Sequence, residues 1–362
     1  MASYRFYGGN CPTTAPQSGH ELTAQHSSDT TQRARSGRPF RGVLWLLILG
    51  AGWSAPIRAW DDFGHMTVAA VAWQHLTPAA RTQASELLRQ NPDYSDWVHE
   101  APSAEQQWLA FLKASTWPDA IKHEAGYRND GERPSATDAN QNVGYDDHAE
   151  HRYWHYVDIP FSPDATPLPP VPVPNAATRI ADFRTVLSDP QAPASLKSYD
   201  LVWLLHLVGD IHQPLHAVSR FTHTLPEGDL GGNRVRLCAP PCREELHGFW
   251  DDAVGHGTAR QAFVLAKTLP TPPLHRIADT RIEDWVNEGT GIARTIVYRP
   301  PVGDGPGPYR LTRGYRDQAR RVARERVALA GRRLAVLLNY ALTPRRPGTG
   351  PAPRGSPPIP LG

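Results

Sequence analysis

Between Leu205 and Asp252 the chain reads LHLVGDIHQPLHAVSRF, then a polar loop with GGNRVRL, then LHGFWDD. No other stretch constrains the fold as much. His206 and Asp210 are four residues apart, and so are His247 and Asp251. On an α-helix such pairs lie about 40° apart around the axis, on one face. Imidazole and carboxylate on one face suit a divalent ion such as Zn²⁺. His216 follows Pro214, whose ring lacks an N–H and bends or ends the first helix, which can swing His216 toward a neighbouring metal. A single pair at this spacing is ordinarily a helix-stabilising contact. Two pairs with a third histidine between them read as a ligand set. The flanks agree: Leu201, Val202, Leu204, Leu205, Leu207 and Val208 are apolar nearly all round. A helix of that kind is buried, and a buried aspartate must be paired or coordinate something.

A chain of 362 residues holds one large domain or two, and a net charge of +2 excludes a polycation. Eleven tryptophans imply a packed aromatic interior or platforms for flat ligands. Residues 1–59 read as a leader. A polar start is followed by Arg35, Arg38 and Arg41, the apolar run Val43–Gly52, and Ala59 before Trp60. That order describes a secretory signal peptide cut after Ala59, the alternative being an uncleaved N-terminal anchor. The apolar run is short for a membrane span. Beyond the cut the cysteines are Cys238 and Cys242, in CAPPC, which is too sparse for a thiolate zinc site. A local disulfide at the base of a hairpin fits an oxidising compartment; free thiols are the alternative.

Cleavage after Ala59 makes Trp60 the N-terminal residue. Its amine and carbonyl oxygen can then chelate a metal together with His65. Thr77-Pro78 starts a helix to about Gln90, and Ser103 caps another through Trp108, Leu109, Phe111 and Leu112. Asp119, just after Pro118, is on its own a turn or cap residue. Residues 123–150 read as a long polar surface loop. His155, in YWHYVDIPF, is interior or at a pocket wall. Residues 160–174 form a Pro-rich linker, and Asn175 caps a helix bearing Ile180, Phe183, Val186 and Leu187. The stretch Gly231–Leu237 reads as a small hairpin. Helical patterns return at 258–268, 281–297 and 313–341, the last with arginines outward, and the Pro/Gly tail beyond Pro344 carries no fold. There is no repeat, no P-loop and no GxGxxG.

The motifs together are WxxxxH at Trp60–His65, WPD at 117–119, HYVD at 155–158, HLVGDIHQPLH at 206–216, GGN at 231–233 and HGFWD at 247–251. Over most of Trp60–Tyr340 the chain resembles the S1/P1 nuclease family of zinc-dependent enzymes. The resemblance implies an all-α, phospholipase C/P1 nuclease-like fold: one mainly helical domain over 60–342, with a small β-hairpin. It also implies three Zn²⁺ per chain. Asp119, His155, His206 and Asp210 would hold one. The Trp60 amine and carbonyl, His65 and a bridging Asp210 would hold the second, and His216, His247 and Asp251 the third. A zinc-activated hydroxide would then attack phosphorus. Asp119 and Lys122 are the catalytic candidates, Lys122 offsetting charge on the phosphate; read from the residues alone, Lys122 is equally an ordinary solvated lysine. Tyr156 is a base-stacking platform or a core residue.

The implied substrates are single-stranded DNA, RNA and 3′-nucleotides, cut by a secreted or periplasmic monomer with no protein partner. Two departures bear on base preference: a longer Asp119–His155 loop than in fungal relatives, and Ala253 where some relatives carry Asn. A zinc phospholipase C is the alternative enzyme, although its last ligand pair usually reads His-x-x-x-Glu rather than His247-x-x-x-Asp251. A non-catalytic secreted zinc- or nucleic-acid-binding protein is the third reading.

Overall fold

The computed structural model describes residues 60–134 and 137–343. The expected leader and the Pro/Gly tail lie outside the described residues. Along the chain run α1 (Asp62–His75), α2 (Pro78–Leu88), α3 (Tyr94–Val98), α4 (Gln106–Ala114), α5 (Trp117–Ala120), β1 (Ile159–Phe161), α6 (Ala176–Ser188), α7 (Ala194–Asp210), β2 (Val218–Arg220), α8 (Leu246–Asp251), α9 (Ala259–Leu265), α10 (Leu274–Ala278), α11 (Ile282–Ile292) and α12 (Arg313–Ala341). The fold is mainly α-helical, as expected.

Two helices form the interior. α7 is buried on every side from Ser198 to Asp210, and α1 from Phe63 to Trp73. Both are apolar all round, so neither has a face suited to water. α6 and α2 cover α7, while α4, α9 and α12 cover α1. α6 starts at a capping box: the Asn175 side chain accepts from Thr178 N–H, and Thr178 returns a bond to the Asn175 backbone. α12 runs for 29 residues and buries Ala319, Ala323, Val327, Leu334 and Leu338. It packs tightly on α1 at Gly331, where a Cβ would fall 2.5 Å from Val71 Cβ and 2.6 Å from the Val68 carbonyl oxygen. Among the described residues no helix is both long and apolar enough to cross a membrane.

The sheet is minimal and parallel: Ile159 pairs with Val218, Pro160 with Ser219 and Phe161 with Arg220. The expected hairpin at Gly231–Leu237 does not form. Gly231 and Gly232 take positive φ and turn the chain, and Arg236 spends its backbone groups on Pro306 and Tyr309. What remains is one antiparallel bridge between Arg236 and Glu245, closing the loop that holds the Cys238–Cys242 disulfide. Ser103 is likewise no helix cap. The chain turns there, and α4 begins three residues later at Gln106.

One polar network ties the outer helices to the interior. Glu288 on α11 takes both guanidinium nitrogens of Arg333 at 2.9 Å, Arg326 at 2.6 Å and Arg276 at 3.1 Å. Arg326 also donates to the His212 carbonyl at 2.9 Å, and Arg333 donates to His212 Nε2 at 3.0 Å. His212 lies two residues beyond the end of α7, so α12 braces the turn that leaves the ligand helix. Burial raises the Glu288 carboxyl, but Arg333, Arg276 and Arg326 outweigh it and hold it well below the ordinary range. Its folded pKa therefore lies below the unfolded one. The stabilisation is full above about pH 5 and is lost as the pH falls through the ordinary glutamate range, near 4.3, toward the folded value.

Replacing Glu288 by Gln leaves Arg326 and Arg333 buried with their main counter-charge removed. The expected loss is about 3 kcal/mol in urea denaturation at pH 7. The wild-type and variant curves should converge in acid, and a constant difference across pH would contradict the electrostatic origin.

Candidate metal centre

α7 places His206 and Asp210 on one buried face, and α1, α5 and the turn before β1 bring three more side chains to them. Asp210 divides its carboxylate. Oδ1 faces His65 Nε2 at 3.3 Å, while Oδ2 faces His155 Nδ1 at 3.1 Å and His206 Nε2 at 3.2 Å. Asp119 Oδ1 approaches His155 Nδ1 at 3.8 Å and His206 Nε2 at 3.9 Å. The His65 ring stacks on the His206 ring, centroids 3.8 Å apart. Two trios result, His65–His206–Asp210 and Asp119–His155–His206. A third, His216–His247–Asp251, stands on α8 and the turn after α7.

The outer nitrogens of the rings show what the inner ones can do. His206 Nδ1 bonds the Ser115 carbonyl, His216 Nδ1 the His155 carbonyl and His247 Nδ1 the Gly231 carbonyl, each at 2.7 Å. A carbonyl oxygen only accepts, so each Nδ1 carries the proton, and each ring in its neutral form turns a bare Nε2 inward. His216 Nε2 and His247 Nε2 then face each other at 3.1 Å, with Asp251 Oδ2 3.5 Å from the latter. Two lone pairs and a carboxylate at such distances repel unless a cation lies among them. Donor atoms about 2.1 Å from a tetrahedral zinc are about 3.4 Å apart, close to these spacings. Both ring nitrogens of His65, Asp210 Oδ1 and Asp251 Oδ2 are buried without a hydrogen-bond partner. The donor set fits a group of divalent cations.

The electrostatics agree except at His206, where burial lowers the ring but Asp210 and Asp119 outweigh it and hold it above its ordinary value. Burial pushes the Asp251 carboxyl well above its ordinary range; the Gln213 amide, donating to Oδ1 at 2.8 Å, opposes this without reversing it. Burial lowers His65 and His216, and burial together with Lys122 takes His155 down to about 3. Neutral imidazole is the form that binds metal.

Of the residues expected from sequence, His65, Asp119, His155, His206 and Asp210 converge in one cluster and His216, His247 and Asp251 in a second. The two are joined through the backbone of His155. Trp60 is fully buried, and its indole N–H donates to the Gly209 carbonyl at 3.0 Å, next to Asp210. Lys122 is no solvated lysine: its side chain is 3% exposed and its ammonium lies 2.6 Å from Asp119 Oδ1. With burial opposing, Lys122 leads His206 and His155 in holding the Asp119 carboxyl far below its usual range. Tyr156 is buried and lines a small cavity together with Asp158, Glu132, Leu215, Asn233 and His247. Asp158 and Gln213 were not among the residues expected to act. Asp158 holds φ at 58°, and burial, then Asp229, pushes its carboxyl up to about 7. Gln213 lies in the HQP step of the ligand motif, between His212 and Pro214, and that position was the available signal.

Comparison with known proteins adds two findings. The S1/P1 Nuclease family profile matches residues 60–343. A segment of 54 residues is 43% identical to Endonuclease 3 of Arabidopsis thaliana, covering 15% of this chain and 16% of that protein.

Chelator treatment should unmask the repulsion between His216 and His247 and lower the melting temperature. Restoring Zn²⁺ at about 1,000 times its Kd should return roughly 4 kcal/mol. His247→Ala should bind fewer ions by elemental analysis and show a smaller chelator effect in calorimetry. A chelator-insensitive melt would reject the metal reading.

Proposed function

Because the chain belongs to the S1/P1 nuclease family, we propose that it is a zinc-dependent hydrolase of phosphodiester bonds. Its substrates are single-stranded DNA and RNA, cut to 5′-phosphate products, and it removes phosphate from 3′-nucleotides. The observation that carries this reading is the pair of buried histidine–carboxylate clusters, with ring nitrogens and carboxylate oxygens turned toward one another at 2.9–3.5 Å. Asp119, His155, His206 and Asp210 hold one ion, the Trp60 main chain with His65 and Asp210 a second, and His216, His247 and Asp251 a third. When bound, the ions supply Lewis acidity toward phosphate and lower the pKa of water from about 15.7 to about 7.

The remaining work belongs to the chain. Asp210 presents one carboxylate oxygen to each side of its cluster and so sets the spacing within it. The Ser115, His155 and Gly231 carbonyls fix the imidazole tautomers and orientations. Gln213 orients Asp251. The Lys122 ammonium stands at Asp119, so a phosphate drawn to that cluster meets a positive charge that offsets its own. Tyr156 offers an aromatic face to a base, and stacking of that kind tolerates any base. Every ligand side chain is nearly or fully buried, which favours an unpaired strand over a duplex.

The domain is residues 60–342, freed from a leader that directs export to the periplasm or outside the cell. Removal of that leader after Ala59 gives Trp60 the amine with which it grips metal.

Purified mature protein should release acid-soluble nucleotides from single-stranded DNA, and chelator should stop it; chelator-insensitive release would reject the proposal. Lys122→Met should lower kcat by about 100-fold at unchanged metal content. A loss of metal in parallel would move Lys122 from phosphate contact to support of Asp119. Extending the mature chain by one residue upstream of Trp60 should reduce bound metal and activity together, and full activity would remove the amine from the ligand set.

A further inference from the structure

We infer that Glu132 is a gate over the Tyr156 pocket, and that a nucleobase reaches the aromatic face only when the turn at 129–134 swings away. The inference rests on the nuclease reading and concerns the step at which a base is seated. The Tyr156 hydroxyl donates to the Glu132 carbonyl oxygen and, at 3.2 Å, to its carboxylate. Glu132 and Asp158 then stand on the edge of the ring, and the cavity beside it leaves about 10 Å³, the limit for a single water. A base does not fit. Tyr156 itself is 7% exposed, so the face that would stack is covered.

The cover is built to move at one point. Its base is firmly held. The backbones of Arg128 and Glu150 bond each other, and His151 is buried between Asp130 at 3.2 Å and Asp147 at 2.9 Å. The tip is not. Gly131, immediately before Glu132, has φ of 90° and nothing within 4 Å of where a Cβ would stand. Outside the Tyr156 contact, Glu132 meets Arg152 at 3.4 Å, with 29% of its own side chain exposed. That contact is long, and Arg152 is already committed to Glu150, so the hydroxyl contact is the main latch.

The pocket chemistry also says what enters. Leu215, Leu230 and the Tyr156 ring make apolar walls, and the polar groups lining the cavity are the Glu132 and Asp158 carboxyls, the Asn233 amide and His247, which is committed to the third ion. An anionic phosphate is disfavoured there. A flat heterocycle with N–H groups at its edge is matched. A latch closed most of the time lowers apparent affinity for the base by the fraction of molecules open, and a hydrogen bond to a carboxylate corresponds to about tenfold.

The test compares KM for the dinucleotide dApdA with KM for the same dinucleotide made abasic at one position or the other, in the metal-loaded protein. In wild type the base should improve KM only slightly. In Glu132→Ala, which loses the carboxylate bond and keeps the carbonyl one, KM for dApdA should fall about tenfold, and in Tyr156→Phe, which keeps the ring and loses both bonds, it should fall further, while KM for the abasic forms stays put. An equal fall for all forms would mean that Glu132 merely repels phosphate, and the gate is overturned. So would a rise in both variants, or wild-type ratios in both. Wild type that neither cleaves nor binds dApdA removes the nuclease premise and the gate with it. Cleavage by wild type with unresponsive variants overturns the gate alone.

Discussion

The structure depends on two carboxylates buried among imidazoles. Burial leaves the Asp251 carboxyl well above its ordinary range; at Asp210 burial is outweighed by His206 with His155 and His65, which hold that carboxyl well below it. Asp210 and Asp251 are each about 2% exposed or less. Asp210 has three imidazoles around it, at least two of them neutral by burial, and Asp251 has an imidazole and an amide. Desolvating an ion costs far more than a neutral hydrogen bond returns. Groups kept in the centre at that cost suit the cations proposed to lie among them. Other features follow: α7 must be apolar on every other face, because its fourth turn is committed to ligands. The turn after it must be braced from behind, which is what Arg326 and Arg333 do at His212.

The second constraint is spacing between clusters. Helices alone position ligands within a trio but leave the distance between trios to their packing. Here the short parallel pair supplies it. Val157 N–H donates to the His216 carbonyl at 2.8 Å, while the His216 ring donates to the His155 carbonyl at 2.7 Å. A ligand of one cluster and a ligand of the other are thus bonded through a single peptide unit. A three-residue sheet contributes little stability; its value lies in the register that it imposes.

Much of this was legible in the chain, for identifiable reasons. The His206/Asp210 and His247/Asp251 pairs obey helical periodicity, which is local, and α7 and α8 form where that periodicity places them. Asn175 and Thr77 cap helices through side-chain chemistry that acts within three residues. Asp119 and His155 had no such local signature. Asp119 sits on the four-residue helix α5 and His155 at the end of a short turn, and only their placement within motifs resembling the S1/P1 nucleases marked them. The parallel pair was invisible because its partners are 59 residues apart, from Ile159 to Val218, and neither segment alternates over enough residues to read as a strand. The hairpin expectation failed for a related reason: GGN does mark a turn, but the backbone groups of Arg236 go to the distant 306–309 segment. The disulfide, left open against free thiols, is formed.

These contrasts divide the site into a floor and a rim with different physics. Floor residues are almost wholly desolvated, and their outer atoms bond to backbone, so displacing one strands several others. The rim at 129–134 is half exposed and its Glu132 is held by contacts each no stronger than an ordinary hydrogen bond. Energies of that size are comparable to what a single base gains on stacking, roughly 1–3 kcal/mol. If the rim is the gate inferred above, a substrate would open it with its own binding energy, whereas the floor would rearrange only on loss of the cations it is proposed to hold. Selectivity for what is cut can then change at the rim without disturbing the chemistry beneath it.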